Sequence, residues 1–360
     1  MASRFSFFFF PISAALLCLR ALPSSAAEPA RTSIPAIIVF GDSTVDTGNN
    51  NFVKTVLRSN FKPYGRDFIA GKPTGRFCNG RLATDFMAEA LGLGEEVPAY
   101  LDPARSIQDF AKAVCFASAG TGMDNATAGV LNVIPLWREV EYFKQYRRRL
   151  RQLLGGDAAR RTISEALYVV SIGTNDFLEN YYLLVTGRFK QFTVSEFEDF
   201  LVGLAAEFLT EIYRLGARKV LFTGLSPMGC LPLERTINWI GIGECNDEYN
   251  AVAAEYNAKL EVMVNELRVS LPGLTLIINR VYNLLLEMIQ NPAQHGFETA
   301  DRGCCATGLL EMGYLCNEFN PHTCPDADKY VFWDAFHPTQ KVNQIVADRF
   351  INHTLAEFLD

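Results

Sequence analysis

The chain has 360 residues, of which 49% are hydrophobic, and carries 33 basic against 40 acidic side chains for a formal charge of −7. A mildly acidic balance argues against nucleic acid as the main partner. The length allows one large or two ordinary domains, and with no Pro/Ser-rich linker, repeat or shift in composition, residues 28–360 read as a single domain.

The first 27 residues have the make-up of a secretory signal peptide: Arg4, an apolar stretch from Phe5 to Leu19, and small residues at Ser25-Ala26-Ala27. That stretch contains Pro11, ends at Arg20 and is shorter than the roughly 20 apolar residues of a spanning helix. Nothing later approaches that length, so the expectation is a soluble secreted protein with no transmembrane segment. Cleavage would remove two arginines and no acid, moving the formal charge to −9.

Ala36 to Phe40 reads as a buried strand, and Gly41-Asp42-Ser43 follows it directly. A serine at a strand-to-loop transition is placed where a nucleophile is exposed, although Asp-Ser-Thr after a strand is also an ordinary helix N-cap. Phe116-Ala117-Ser118-Ala119-Gly120-Thr121-Gly122 is a glycine-containing turn segment, and Asn125-Ala126-Thr127 fits the N-glycosylation pattern. Glu139 to Leu154 has helical spacing. Its basic run Arg147-Arg148-Arg149-Leu150-Arg151 is most simply a solvated face, with contact to an acidic polysaccharide as the sharper alternative.

Leu167 to Ile172 is a second strand, followed by Gly173-Thr174-Asn175-Asp176. The Val194 to Leu215 helix leads to a third strand, Lys219 to Thr223, and to Gly224-Leu225-Ser226-Pro227, where Ser226 reads as a turn residue. The Asp247 to Leu271 helix leads to a fourth strand, Leu274 to Asn279. Strands alternating with helices imply an open parallel sheet covered on both faces, whose ligand crevice lies outside the carboxyl ends of the strands.

With Cys18 in the signal segment, eight cysteines remain, an even number that suggests disulfides in a secreted chain. Cys115, between Val114 and Phe116, reads as a buried free thiol or as a bridge partner. Cys304, Cys305, Cys316 and Cys324, with His322 nearby, read as disulfides or as a zinc site, although they lack paired Cys-x-x-Cys arms.

Asp334-Ala335-Phe336-His337-Pro338 sets a carboxylate three residues before one of only four histidines. Gln340 to Leu359 then reads as a closing helix that contains a second glycosylation pattern, Asn352-His353-Thr354. His295, His322 and His353 have no carboxylate placed as Asp334 is. Asp42, Asp46 and Asp176 are expected to bind backbone amides in their turns rather than to exchange protons.

A serine nucleophile needs a base within hydrogen-bond reach and a third group that fixes the base, and a tetrahedral intermediate needs donors aimed at its oxyanion. Ser43, His337, Asp334, Gly120 and Asn175 supply these parts. There is no Gly-x-Ser-x-Gly pentad, which sets aside the α/β-hydrolase elbow. The four segments at Phe40 to Ser43, Phe116 to Gly120, Gly173 to Asp176 and Asp334 to Pro338 resemble, in order, the serine, glycine, asparagine and histidine blocks of the plant GDSL esterase/lipase family of SGNH hydrolases. Pro73-Thr74-Gly75-Arg76-Phe77 and Pro227-Met228-Gly229-Cys230 lie in family-like stretches between them, and the likeness runs from about Pro35 to Phe350.

That resemblance implies a flavodoxin-like three-layer α/β/α fold, no cofactor or metal, and hydrolysis of carboxylic esters such as acyl lipids, cutin-type esters or acetylated polysaccharide. It implies Ser43 as nucleophile, His337 as general base and then acid, Asp334 as the orienting carboxylate, and Ser43 N–H, Gly120 N–H and the Asn175 side chain as the oxyanion hole. It also implies an extracellular location in the apoplast or cell wall. Acyl transfer by the same fold and a non-catalytic secreted binding protein are the alternatives. One position departs from the pattern: Cys115 stands where family members often carry asparagine.

Overall fold

Short runs of β-branched and aromatic residues form the sheet. In the computed structural model, which describes residues 1–3, 6, 34–238 and 244–359, the strands are β1 Ile37–Gly41, β2 Ala113–Cys115, β3 Leu167–Ser171, β4 Lys219–Thr223 and β5 Thr275–Asn279. All pairings are parallel, in the order β2-β1-β3-β4-β5, with Ile37, Leu167, Lys219 and Thr275 in register. This is the flavodoxin-like strand order. The expected signal segment, residues 1–27, lies outside the described residues except at positions 1–3 and 6, and Ser33–Asp360 form one compact unit.

Successive strand residues point to opposite faces. Ile38, Phe40, Tyr168, Val170 and Phe222 join the larger core. They pack with α3 Leu136–Leu154, α4 Gly156–Glu165, α5 Val194–Arg214 and α7 Asp247–Ser270. Ile37, Val39, Leu167, Val169 and Leu221 join a second core with α1 Ala83–Ala90 and α9 Gln340–His353. Aromatic rings set the first interface: Phe40 meets Phe143 edge-on at 5.6 Å and Phe116 at 5.3 Å. Each such pair adds about 0.5–1.5 kcal/mol to plain burial.

The four expected strands and four expected helices are present with ends shifted by a few residues. The closing helix stops at His353 rather than Leu359, because Thr354 leaves helical geometry and a 3-10 turn, Leu355–Phe358, follows. Strand β2 was not expected, since three residues are too few to show a period. The helices α1, α2 Asn125–Leu131, α4, α6 Pro232–Ile237 and α8 Val281–Gln290 were not expected either, each being shorter than the window of about 11 residues over which a helical period shows. So was a two-stranded parallel sheet of β6 Thr299–Gly303 and β7 Tyr330–Phe332, whose first strand is largely polar.

The cysteine-rich segment resolves into disulfides: Cys304–Cys324 and Cys305–Cys316, with Cys230–Cys245 elsewhere. Six of the eight cysteines are thus paired, while Cys78 and Cys115 are buried free thiols. Burial pushes both thiols up to about 12, so they stay neutral. Among the described residues no helix is long and apolar enough to cross a membrane.

Candidate active site

The crevice lies where strand order reverses, outside the carboxyl ends of β1 and β3. At the end of β1, Gly41 has φ +137°, and a Cβ there would sit 1.9 Å from the Ser171 carbonyl oxygen, so only glycine lets the two strands run this close. Asp42 N–H donates to that same oxygen at 3.0 Å, carrying the ladder one residue past the strand. Asp42 then turns the chain by accepting from Thr44 N–H and Thr44 Oγ. Ser43, at the apex, is 4% exposed.

Ser43 Oγ lies 2.8 Å from His337 Nε2, although 294 residues separate them in the chain. On the other side of the imidazole, Nδ1 sits 2.9 and 2.8 Å from the two oxygens of Asp334. Asp334 Oδ1 also accepts from Phe336 N–H and His337 N–H, which folds 334–337 into a tight turn and explains the three-residue spacing. Asp334 Oδ2 accepts from Tyr64 Oη at 2.7 Å, and Tyr64 Oη accepts from Gly313 N–H at 2.9 Å. Phe77 packs its ring 4.9 Å from that of His337. Tyr64, fully buried, was not singled out from the sequence, since a lone tyrosine before Gly65 carries no motif.

Behind these residues a small core contains Tyr64, Phe77 and Trp333 together with both disulfides of the cysteine-rich segment. Gly313 lies inside the loop closed by Cys305 and Cys316. The cross-linked loop therefore holds the donor that holds Tyr64, which in turn holds Asp334.

The glycine segment is tied to the serine segment by two buried side chains. Asp46 accepts from Gly48 N–H and Asn49 N–H through one oxygen and from Ala119 N–H through the other. Asn49 donates to the carbonyls of Cys115 and Ala117. Cys115 donates its thiol to Val45 O at 3.2 Å, so the position that departs from the family pattern still bonds across to the serine loop. Gly120 has φ +83°, and a Cβ would press to 2.8 Å from Leu57. Asn175 donates one amide proton to Thr121 O at 2.9 Å. Among the described residues Ser43 N–H and Gly120 N–H donate to nothing.

Asp176 accepts from Met123 N–H, Asp124 N–H and Thr127 Oγ, fastening the asparagine segment to the glycine segment. Asp42, Asp46 and Asp176 thus all bind backbone amides, as expected. Asn125 and Asn352 are both exposed. Thr127 of the first glycosylation pattern is buried against Asp176, so that threonine has a structural role of its own. The other histidines stay apart from this network: His295 faces Glu287, while His353 ends α9.

One acidic side chain escaped notice in the sequence. Glu139, on the first turn of α3, is wholly buried and accepts from Gly41 N–H at 3.0 Å, while its other oxygen has no partner. Burial holds its carboxyl well above the usual range, with Asp46 and Asp42 nearby adding to the shift.

Beside the serine a slot opens between the sheet, α1, α8 and α9. Asp42, Thr44, Thr174, Phe336 and Pro338 line it and are chain neighbours of Ser43, Asn175 and His337. Its walls are mostly aliphatic, including Leu225, Leu231, Val281, Leu285 and Val346.

The family model described as GDSL-like Lipase/Acylhydrolase matches residues 37–350. Three Arabidopsis thaliana proteins, each named GDSL esterase/lipase, are 58%, 56% and 55% identical to this chain. The alignments cover 90%, 91% and 95% of this chain and 92%, 93% and 97% of those proteins, respectively. Among solved structures, a lipase from a goat rumen metagenome aligns over 88% of this chain and 96% of its own, at 10% identity and a TM-score of 0.37.

Proposed function

The chain belongs to the GDSL-like lipase/acylhydrolase family and is a carboxylic ester hydrolase; from that premise we propose that it works through an acyl-enzyme on Ser43. The observation that supports this reading is the unbroken line of hydrogen bonds Ser43 Oγ–His337 Nε2 and His337 Nδ1–Asp334, both legs at 2.8 Å. Ser43 Oγ attacks the ester carbonyl as His337 Nε2 takes its proton, and His337 returns that proton to the departing alcohol. Water enters by the same route and releases the acid. Developing negative charge on the carbonyl oxygen meets Ser43 N–H, Gly120 N–H and the second amide proton of Asn175.

The substrate we propose is an ester of an acyl chain, rather than an O-acetylated polysaccharide. The slot next to the Ser43 turn is walled mostly by aliphatic side chains, among them Leu225, Leu231, Val281, Leu285 and Val346, which suit a hydrocarbon chain better than a hydrated sugar. Esters from acetyl to decanoyl, assayed with Ser43→Ala as the blank, test this. The expected result is kcat/KM rising with chain length beyond acetyl. Preference for acetyl esters or acetylated xylan would sink the acyl-chain reading and leave ester hydrolysis standing, whereas turnover undiminished in Ser43→Ala would sink the mechanism.

We also propose that residues 1–27 direct secretion to the extracellular space and are removed before Glu28. The three disulfides fit an oxidising route. Amino-terminal sequencing of protein recovered from the medium of secreting cells should read from Glu28, and a mass loss with peptide N-glycosidase would mark Asn125 or Asn352 as glycosylated. Protein retained in the cells with its first 27 residues intact contradicts the proposal.

A further inference from the structure

At the end of the sheet opposite Ser43, a groove runs between the second half of α3, helix α4 and the turn from α5 into β4. Its lining holds six arginines, Arg147, Arg151, Arg160, Arg161, Arg214 and Arg218, against a single acid, Asp157. This is a strong local excess of positive charge on a chain whose formal charge is −7. The basic run on α3 is thus only in part a solvated face. Arg147 and Arg151 turn into the groove, where two further elements bring four more guanidinium groups, while Arg149 lies over the Tyr100 ring elsewhere.

The six are held differently. Arg218 is fixed by donating to Tyr213 O and Ala217 O and by lying 4.1 Å over the Tyr213 ring. Arg160 pairs with Asp157. Arg214 also borders a depression that contains Glu207 and Glu211, and Glu211 is taken by Lys144. Arg151, Arg161 and Arg214 form no ion pair among the described residues. Arg147 is half-buried with no carboxylate in contact among the described residues, and burial pulls its guanidinium below the ordinary value. A cation that has lost water without gaining a counter-charge is stabilised by any anion that reaches it.

We propose that this groove binds a linear polycarboxylate, of the kind a uronate polysaccharide presents, and holds the enzyme by the end of the sheet opposite its ester-cleaving end. Planar guanidinium forks match carboxylates in bidentate geometry, and a row of them suits charges that recur along a chain. The lining has no aromatic ring for a nucleobase to stack on. Its apolar members Ala159, Ile163 and Leu215 are buried or half-buried and leave nothing to insert into a bilayer. The five residues of a strand, about 17 Å, separate the groove from the serine, so both ends can be occupied together.

The test uses the mature chain and three probes: polygalacturonate, the same polymer fully methyl-esterified, and vesicles containing an anionic phospholipid. Polygalacturonate is expected to bind, more weakly as salt rises, and neither the neutral polymer nor the vesicles should bind comparably. Reversing Arg151, Arg161 and Arg214 to Glu together should weaken binding about tenfold or more, at a modest contribution per exposed pair. A control with Lys54, Lys72 and Lys112, all exposed and outside the groove, reversed to Glu carries the same change in net charge and should bind nearly as wild type. Both variants should cleave a short-chain ester at the wild-type rate, which also reports that they have folded. Equal loss in the two variants, undiminished binding by the groove variant, or equal binding of the neutral polymer overturns the proposal, as do vesicles that bind more tightly than polygalacturonate.

Discussion

Ser43 stands between two unlike sets of polar groups. On the imidazole side each group is already engaged: Asp334 accepts two backbone N–H groups, the Tyr64 hydroxyl and His337, and Tyr64 is itself held by Gly313. On the side of Gly120 and Asn175 the donors are left open, with Ser43 N–H, Gly120 N–H and one amide proton of Asn175 unpartnered among the described residues. A side chain that must hold an orientation is served by saturated bonding, which leaves it one geometry. Donors that must meet charge appearing during a reaction are served by vacancy, because a prior partner would have to be displaced. The difference assigns distinct penalties to the two sides.

The largest should come from the atom they share. Ser43→Ala should reduce turnover by about six orders of magnitude, the scale for removing the nucleophile of a serine hydrolase. Next is Asp334→Asn, expected to cost on the order of ten-thousand-fold by disturbing the tautomer of His337. A loss under about tenfold would mean that Phe77 packing and the turn alone orient the ring. Asn175→Ala tests the open side and should lower kcat by about two to three orders while KM stays nearly fixed, since the missing bond forms chiefly in the transition state.

Tyr64→Phe should cost less, about tenfold in kcat, because one hydrogen bond to a carboxylate is lost while three other donors remain. If Tyr64→Phe proved more damaging than Asn175→Ala, the division between holding and receiving would be wrong. Opening the Cys305–Cys316 bridge with Cys305→Ala/Cys316→Ala should reproduce the direction of that effect, with the kcat of folded protein falling before short-ester KM changes.

The smallest effect concerns buried acids around the site. Burial raises Glu139 well above the usual range, Glu179 to about 8 and Glu234 to about 7. The fold keeps these protons where the unfolded chain, with glutamates near about 4.3, has released them. Their stabilisation is therefore fully present below that value and is lost as pH rises through 7 to 8. The melting temperature should fall between about pH 5 and pH 8.5, and Glu139→Gln should flatten the decline. A melting temperature that rises over this interval would show that hydrogen bonding to the ionised forms outweighs burial.

The groups of the proposed site were legible because each belongs to a short segment whose spacing has a local cause. Asp334 and His337 are three apart because the carboxylate caps the turn that carries the histidine, and Gly41 is required by a backbone oxygen 1.9 Å from where its Cβ would be. The four longer apolar strands showed for a similar reason, being buried on both faces. What stayed hidden depends on contacts across the chain. Tyr64 is 270 residues from Asp334, and Glu139 is 98 from Gly41. The three-residue strand β2 exists because Val39 and Pro98 offer carbonyls to its neighbours and itself, which no pattern within Ala113–Cys115 announces. The pairing of Cys304 with Cys324 and of Cys305 with Cys316, against a zinc alternative, likewise needed the fold to bring the loops together.

Asp46 holds the Ala119 amide while Asn49 holds the Cys115 and Ala117 carbonyls, so the serine loop and the glycine loop cannot part without stranding all three backbone groups at once. In deuterated water the Ala119 amide should exchange only as the two loops part, 73 positions from the carboxylate that holds it. The proposed nucleophile and the donors proposed for its oxyanion would then come together in one step of folding, and a half-assembled site would not accumulate.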